Sequence, residues 1–290
     1  MRALETVRDL LSSTGLSGSV STRGYYRSAD GAGMELRIAS APPAGALGLV
    51  SVPTADGGVA VPTGLPSGPP RPAQHSGAVS DLLRRAYTFR DEGGTDLRWN
   101  AQRQGPGLSR TPVHFSQPKP YPVTCSHFVG MVLAGWEYRT TTYVADSNTR
   151  TGWYVPLGAD PRRAEIWQAH RLARLLFVRG DLWFTDGTDI ERGDLLFFAE
   201  QDPERSYERV RTGAVQPYFG NVYHVAINLG GGRLLQSATP TSPTGVYETE
   251  MYRSLRETLC WAARPAWTPP QGTAMSAWIG QHECPLAPAR

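Results

Sequence analysis

The stretch "VYHVAINLGGGRLLQSA" (Val222–Ala238) constrains this chain most. A run alternating around β-branched and apolar side chains meets consecutive glycines and then a second apolar run. That is the pattern of a β-hairpin. Alternation places Val222, His224, Ala226 and Asn228 on one face and Tyr223, Val225, Ile227 and Leu229 on the other. The returning strand brings Gln236 close to His224. An imidazole beside an amide oxygen is an oriented base: the amide accepts from one ring nitrogen and leaves the other to face a nucleophile.

"GDLLFFA" (Gly193–Ala199) and the "ETLCWAARPAW" stretch near Thr258–Ala266 read as further strands of the same region. Helical patterns precede them: "AVSDLLRRAYTF", a helix opened by Asp160 and Pro161 that runs through Val178 to Gly180, and an N-terminal helix over about Arg2 to Leu11. Helices followed by a run of antiparallel strands is an α+β order. Before them, "GYYRSADGAGMELRIAS" and "LGLVSVPTADGGVAVP" read as hairpins around Asp-Gly turns. The stretch "PTGLPSGPPRPAQHSG" (Pro62–Gly77) is too rich in proline and glycine for a regular element and reads as a linker. The expected organisation is an N-terminal module of helix plus hairpins over 1–62, a linker over 63–77, a main domain over 78–267 and a surface tail over 268–290. Few contacts are expected between the first module and the rest.

A nucleophile for His224 is offered by "TCSHFVGMVLAGW" (Thr124–Trp136). Phe128, Val129, Val132, Leu133 and Trp136 recur at helical spacing, which puts Thr124 at the N-cap and Cys125 in the first turn. Backbone N–H groups and the positive end of the helix dipole favour a thiolate there. Core packing is the alternative for a cysteine in such a run. A zinc set drawn from Cys125, His127, His282 and Cys284 lacks the paired short spacings of a structural site, so no metal and no cofactor is expected. His127 points to a different side of the helix from Cys125 and reads as a pocket or surface residue. His170 reads as a structural histidine in mid-helix, while His75 and His114 read as solvated. Asp194 reads as a turn residue at a strand start, and Trp153, Tyr154, Trp167, Trp183 and Phe184 read chiefly as core.

Composition narrows the partners. A net charge of +3 over 290 residues does not argue for nucleic acid, and the arginines at Arg84–Arg85, Arg162–Arg163 and Arg205–Arg211 read as scattered, solvated groups. No apolar stretch is long enough to span a bilayer. Three cysteines do not make a disulfide framework. The start, "MRALETVRDLLSSTGLSG", lacks a signal-peptide core, so the expectation is a protein made in the cytoplasm and delivered without a cleaved leader.

Taken in order, "CSHFV" at Cys125, "RGDLLFF" at Arg192–Phe198, "HVAINLGGGRLLQ" at His224–Gln236 and "WAARP" at Trp261–Pro265 resemble the NlpC/P60 cysteine peptidases, a family with a papain-like fold. The resemblance covers Pro120 to Ala266. It implies an α+β catalytic domain in which the cysteine-bearing helix packs on an antiparallel sheet. It further implies Cys125 as nucleophile, His224 as base, Gln236 as the residue that orients the base, and peptidoglycan stem peptides as substrate. Tyr121, Thr124, Ser126 and His127 fall at substrate-holding positions. Thr124 stands where the family usually has aspartate, His127 where it has glycine, and the upstream Tyr-x-x-Gly-Gly stretch is not recognisable, which puts selectivity for a free amine in doubt. A phage tail that carries the protein through residues 1–62 is the delivery route that fits the missing leader, giving a virion location. The other readings are a non-catalytic tail-tip or wall-binding protein, and an acyltransferase or effector that uses the same thioester.

Overall fold

A computed structural model describes residues 2–64, 73–100, 119–138, 151–157, 168–200, 207, 210, 218–239 and 241–270. The chain opens with β1 (Arg2–Leu4) and α1 (Val7–Ser12), where a single helix over Arg2 to Leu11 was expected. A capping box sets the later start: Thr6 N–H donates to Asp9 Oδ2 at 2.8 Å and Asp9 N–H to Thr6 Oγ1 at 3.3 Å. The residues before it pair in parallel with β2 (Ser19–Thr22). The first hairpin joins β2 to β3 (Glu35–Ala39), so Tyr25 and Tyr26 lie in its connection and not in an arm. Asp30 shapes that connection by accepting from the N–H groups of Tyr25, Tyr26 and Ala32. After a short helical turn, α2 (Ala46–Leu49), the second expected hairpin forms from β4 (Val52–Pro53) and β5 (Val59–Thr63). The resulting sheet runs β1-β2-β3-β5-β4.

Within the linker stretch, Pro62 and Thr63 belong to β5, and Ser76 and Gly77 belong to α3 (Ser76–Thr88); residues 65–72 lie outside the described residues. His75 caps α3, its Nδ1 accepting from Ala78 N–H at 3.3 Å with the ring 4.0 Å from Trp153. It remains exposed, but it has a structural task. The parallel pair β6 (Leu97–Trp99) and β7 (Tyr121–Val123) leads into α4 (Cys125–Leu133). Next come α5 (Ala169–Val178), β8 (Leu182–Phe184), β9 (Leu195–Ala199), β10 (Val222–Gly230), β11 (Arg233–Gln236), β12 (Tyr247–Glu250), α6 (Arg253–Thr258) and β13 (Leu259–Ala263). Asp160, Pro161, Trp167, His114, His282 and Cys284 lie outside the described residues, as does the tail beyond 270.

The last strands form one antiparallel sheet in the order β12-β11-β10-β9-β13-β8, with α4 and α5 against β10. This is the α+β arrangement expected, a cysteine-bearing helix on an antiparallel sheet. Under the helices lie Leu195, Phe197, Val225 and Ile227; on the other face Leu196, Phe198, Ala226 and Leu234 pack with Leu255 of α6. Alternation in β10 breaks at its start. The pairing with β9 shifts between Val222 and His224, so Val222 joins Val225 and Ile227 on the helix side. Gly220 and Asn221, both at positive φ, feed the strand into this bulge.

The N-terminal residues do not stand apart. Leu4, Val7, Leu10 and Tyr25 share one buried cluster with Phe128, Val132, Leu172, Val225 and Trp261, contrary to the expectation of few contacts. Tyr25 Oη donates to the Tyr218 carbonyl at 2.5 Å and accepts from Gly220 N–H at 3.1 Å. Tyr26 Oη pairs with His170 Nδ1 and accepts from Phe219 N–H at 3.2 Å. His170 also stacks on Tyr218 at 4.5 Å, which makes it the structural histidine expected.

Candidate active site

Two buried polar anchors place the site. Arg85, read from sequence as solvated, is fully buried: Nε donates to the Val132 carbonyl at 3.0 Å and Nη1 to the Thr151 carbonyl. It therefore holds the C-terminal end of α4. Burial pulls its pKa down to about 10 against the opposing pull of Asp81. Asp194 does form the strand-start turn, accepting from Glu191 N–H at 2.6 Å, but its main partner is Arg264, which donates from Nε at 2.8 Å and from Nη2 at 3.0 Å. This bidentate pair ties the Gly-Asp start of β9 to the residue after β13.

Strand β7 delivers Thr124 in an extended conformation, and Cys125 opens α4. Thr124 makes no side-chain bond to the helix backbone; its hydroxyl pairs with His127 Nδ1 at 3.1 Å. Cys125 is 9% exposed. Burial pushes its thiol above the ordinary value, while the N–H groups of Val225 and Ser126, the Ser126 hydroxyl and its own N–H pull the other way. The donors expected at a helix start are present, but desolvation outweighs them. Thr124, Ser126 and His127 are all buried, and of these Ser126 acts on the thiol; Tyr121 sits in the core cluster with its N–H donating to the Asp96 carbonyl at 2.7 Å. The remaining cysteine described, Cys260, is wholly buried and donates to the Phe197 carbonyl at 3.4 Å.

His224 is 5% exposed, with Nε2 2.7 Å from Gln236 Oε1. Gln236 lies opposite the Ala226 region of β10 and so reaches His224 along the diagonal, as the hairpin register predicted. Burial lowers the His224 pKa to about 4, with the Gln236 bond opposing. The ring is neutral at pH 7. With the amide oxygen on Nε2, that nitrogen carries the hydrogen and Nδ1 keeps its lone pair. Among the described residues no hydrogen bond joins Cys125 to His224. The thiol meets this strand at the N–H of the next residue, Val225. Beyond Gln236, Tyr247 on β12 accepts from Nε2 of the amide at 3.3 Å, a partner that sequence reasoning missed. Tyr223 and Tyr252 stand at the surface beside the site, 41% and 50% exposed. No group of His, Cys, Asp and Glu suited to a metal ion occurs among the described residues, and none of their helices is long and apolar enough to cross a membrane.

No family model and no curated protein matches this sequence. Solved structures that resemble it include the peptidoglycan hydrolase RipB of Mycobacterium tuberculosis, at 14% identity and a TM-score of 0.34, covering 64% of each chain. An NlpC/P60 family protein of Bacillus cereus aligns at 16% identity and a TM-score of 0.33, over 80% of this chain and 54% of that one. RipD of Mycobacterium tuberculosis, described as a non-catalytic NlpC/p60 domain protein adapted to peptidoglycan binding, aligns at 12% identity and a TM-score of 0.33, over 66% of this chain and 98% of its own. This chain thus spans less than two thirds of the RipB and Bacillus chains.

Proposed function

We propose that this protein is a cysteine peptidase with a papain-like catalytic unit of the NlpC/P60 kind, hydrolysing amide bonds in peptidoglycan stem peptides. The observation that carries the reading is the His224 Nε2–Gln236 Oε1 bond of 2.7 Å in a neutral imidazole, which leaves Nδ1 as the proton acceptor one residue from the N–H that meets the thiol. Nδ1 takes the Cys125 proton as Sγ adds to the substrate carbonyl carbon. The oxyanion gathers backbone N–H groups at the start of α4, that of Cys125 among them. Collapse expels the amine, which takes the proton from His224 and leaves a thioester. Water, deprotonated by the same nitrogen, hydrolyses it and restores the thiol. The missing Cys125–His224 hydrogen bond fits a resting site, since such contacts tighten when substrate binds. Purified protein should release new amino groups from purified peptidoglycan, and Cys125→Ala and His224→Ala should not; equal release by Cys125→Ala would refute the assignment.

That same missing bond favours a second reading, a wall-binding protein without catalysis. It predicts co-sedimentation with peptidoglycan and no release of amino groups by the wild type. Delivery by a phage tail accompanies the catalytic reading. Since residues 1–62 share the common core, a tail contact would use outward residues of their sheet such as Glu35 and Arg37. Detection of the chain in purified virions tests it.

A further inference from the structure

His224, Gln236 and Tyr247 stand on three neighbouring strands, β10, β11 and β12, and one hydrogen-bonded chain runs across them. Gln236 is directly opposite Tyr247 in the β11–β12 register and has no exposed surface. A buried glutamine can be turned either way: its oxygen and nitrogen are alike in shape but opposite in hydrogen bonding. Only the orientation with Oε1 on His224 serves a base that must become an imidazolium, because the alternative sets an N–H₂ against an N–H. In that working orientation the amide nitrogen needs an acceptor, and the phenol oxygen of Tyr247 is the one present.

We infer that Tyr247 is a positioning residue of the site: by accepting from the Gln236 amide nitrogen it holds the amide oxygen on His224 and strengthens it as an acceptor. The inference rests on the reading of Cys125 and His224 as the reacting pair. Hydrogen bonds in a chain polarise one another, so an amide that donates to Tyr247 accepts more strongly from His224, and the imidazole is a better base for it. Among the described residues the titratable groups on this side of the sheet are the Cys125 thiol from α4, Tyr223 beside His224 on β10, Tyr247 behind the amide, and Glu200 and Tyr252, which both act on Tyr223. No carboxylate forms an ion pair with His224 among the described residues.

The test needs no substrate. Alkylation of Cys125 by iodoacetamide is followed across pH by mass spectrometry of the Cys125 peptide, which separates it from Cys260 and Cys284. Tyr247→Phe keeps the ring and removes the acceptor. It should lower the plateau rate about fivefold, the worth of one hydrogen bond, and move the acid limb to lower pH. If Tyr247→Phe does not fold, 3-fluorotyrosine at position 247 keeps both ring and hydroxyl but accepts more weakly, and should give the same shift in smaller measure. In a Gln236→Leu background, Tyr247→Phe should cost nothing further. An unchanged alkylation profile, or a Tyr247→Phe effect that persists in full without Gln236, overturns the inference. If His224→Ala leaves Cys125 alkylation unchanged, the reacting pair itself is wrong. Shifted alkylation without peptidoglycan turnover refutes only the substrate.

Discussion

His224 and His170 are both neutral because burial raises the cost of the imidazolium, the first lowered to about 4 and the second to about 3 from 6.5. A folded-state pKa below the unfolded value means that the unfolded chain binds protons the folded one refuses. The stability held above pH 6.5 should therefore be lost as pH falls through 4 and then 3. Thermal midpoints measured from pH 7 downward should fall, and His170→Asn should flatten the slope whatever it does to the midpoint. Activity should follow the same residue: an acid limb near 4 is expected, and one at 6.5 would mean that His224 is solvated. Thr124 offers a substrate amine only a neutral hydroxyl, itself engaged by His127. A charged hydrogen bond exceeds a neutral one by about 1 kcal/mol, roughly fivefold in affinity. Stem peptides with free and acetylated N-termini should thus be turned over within that factor, and a strong preference for the free amine would point to an acidic group elsewhere in the groove.

At the scale of elements, the helix and hairpin that carry the site depend on buried polar ties. Arg85→Leu removes the donor to the buried Val132 carbonyl at the end of α4 and the donor to the part-buried Thr151 carbonyl, and a buried unsatisfied carbonyl costs about 1–3 kcal/mol. It should lower the thermal midpoint and, by loosening α4, reduce Cys125 reactivity as well. Gly220 has φ +54 before β10, and a Cβ there would lie 2.7 Å from Trp261 Nε1, so Gly220→Ala should destabilise by about 1–3 kcal/mol. A neutral outcome would show that Trp261 has room to yield. The β10–β11 hairpin was legible because its alternation and its glycines are local signals, and α4 because its apolar residues keep helical spacing. Strand β12, Tyr-Glu-Thr-Glu, is short and polar, so neither it nor Tyr247 was legible. Arg85 looked solvated because sequence marks an arginine as charged and says nothing of the carbonyls waiting for it. The Thr6–Asp9 capping box was present in the letters; the apolar run that straddles it pointed to an earlier start.

Across the whole molecule, the proline- and glycine-rich stretch read as a boundary, yet buried residues on both sides of it form one cluster. Composition marks where a chain is irregular. It does not show whether the segments it joins bury surface on each other. Here the joint is specific: Tyr25 and Tyr26 bond to Tyr218, Phe219 and Gly220, and Arg174 on α5 reaches Asp30, with Nη2 donating to the Asp30 carbonyl at 2.8 Å. The segment they grip, Tyr218–Asn221, is the entry to β10 and so sets where His224 begins. Asn221 Nδ2 adds a bond to the Leu49 carbonyl at 3.2 Å. A chain starting at residue 73 would expose the apolar side of this joint and leave the N–H groups of Phe219 and Gly220 without the phenols that accept from them. Such a fragment should aggregate, or fold with a much lower thermal midpoint, and its Cys125 should be alkylated without the pH dependence that His224 confers. Tyr25→Phe in the full chain should act in the same direction by a smaller amount, since it keeps the ring packed on Phe219 at 4.9 Å and loses the hydroxyl's bonds to the Tyr218 carbonyl, the Gly220 N–H and Tyr207. A fragment from 73 onward with the full chain's stability and Cys125 reactivity would mean that the joint is dispensable, and that residues 1–64 are a separate module resting on a catalytic unit complete without them.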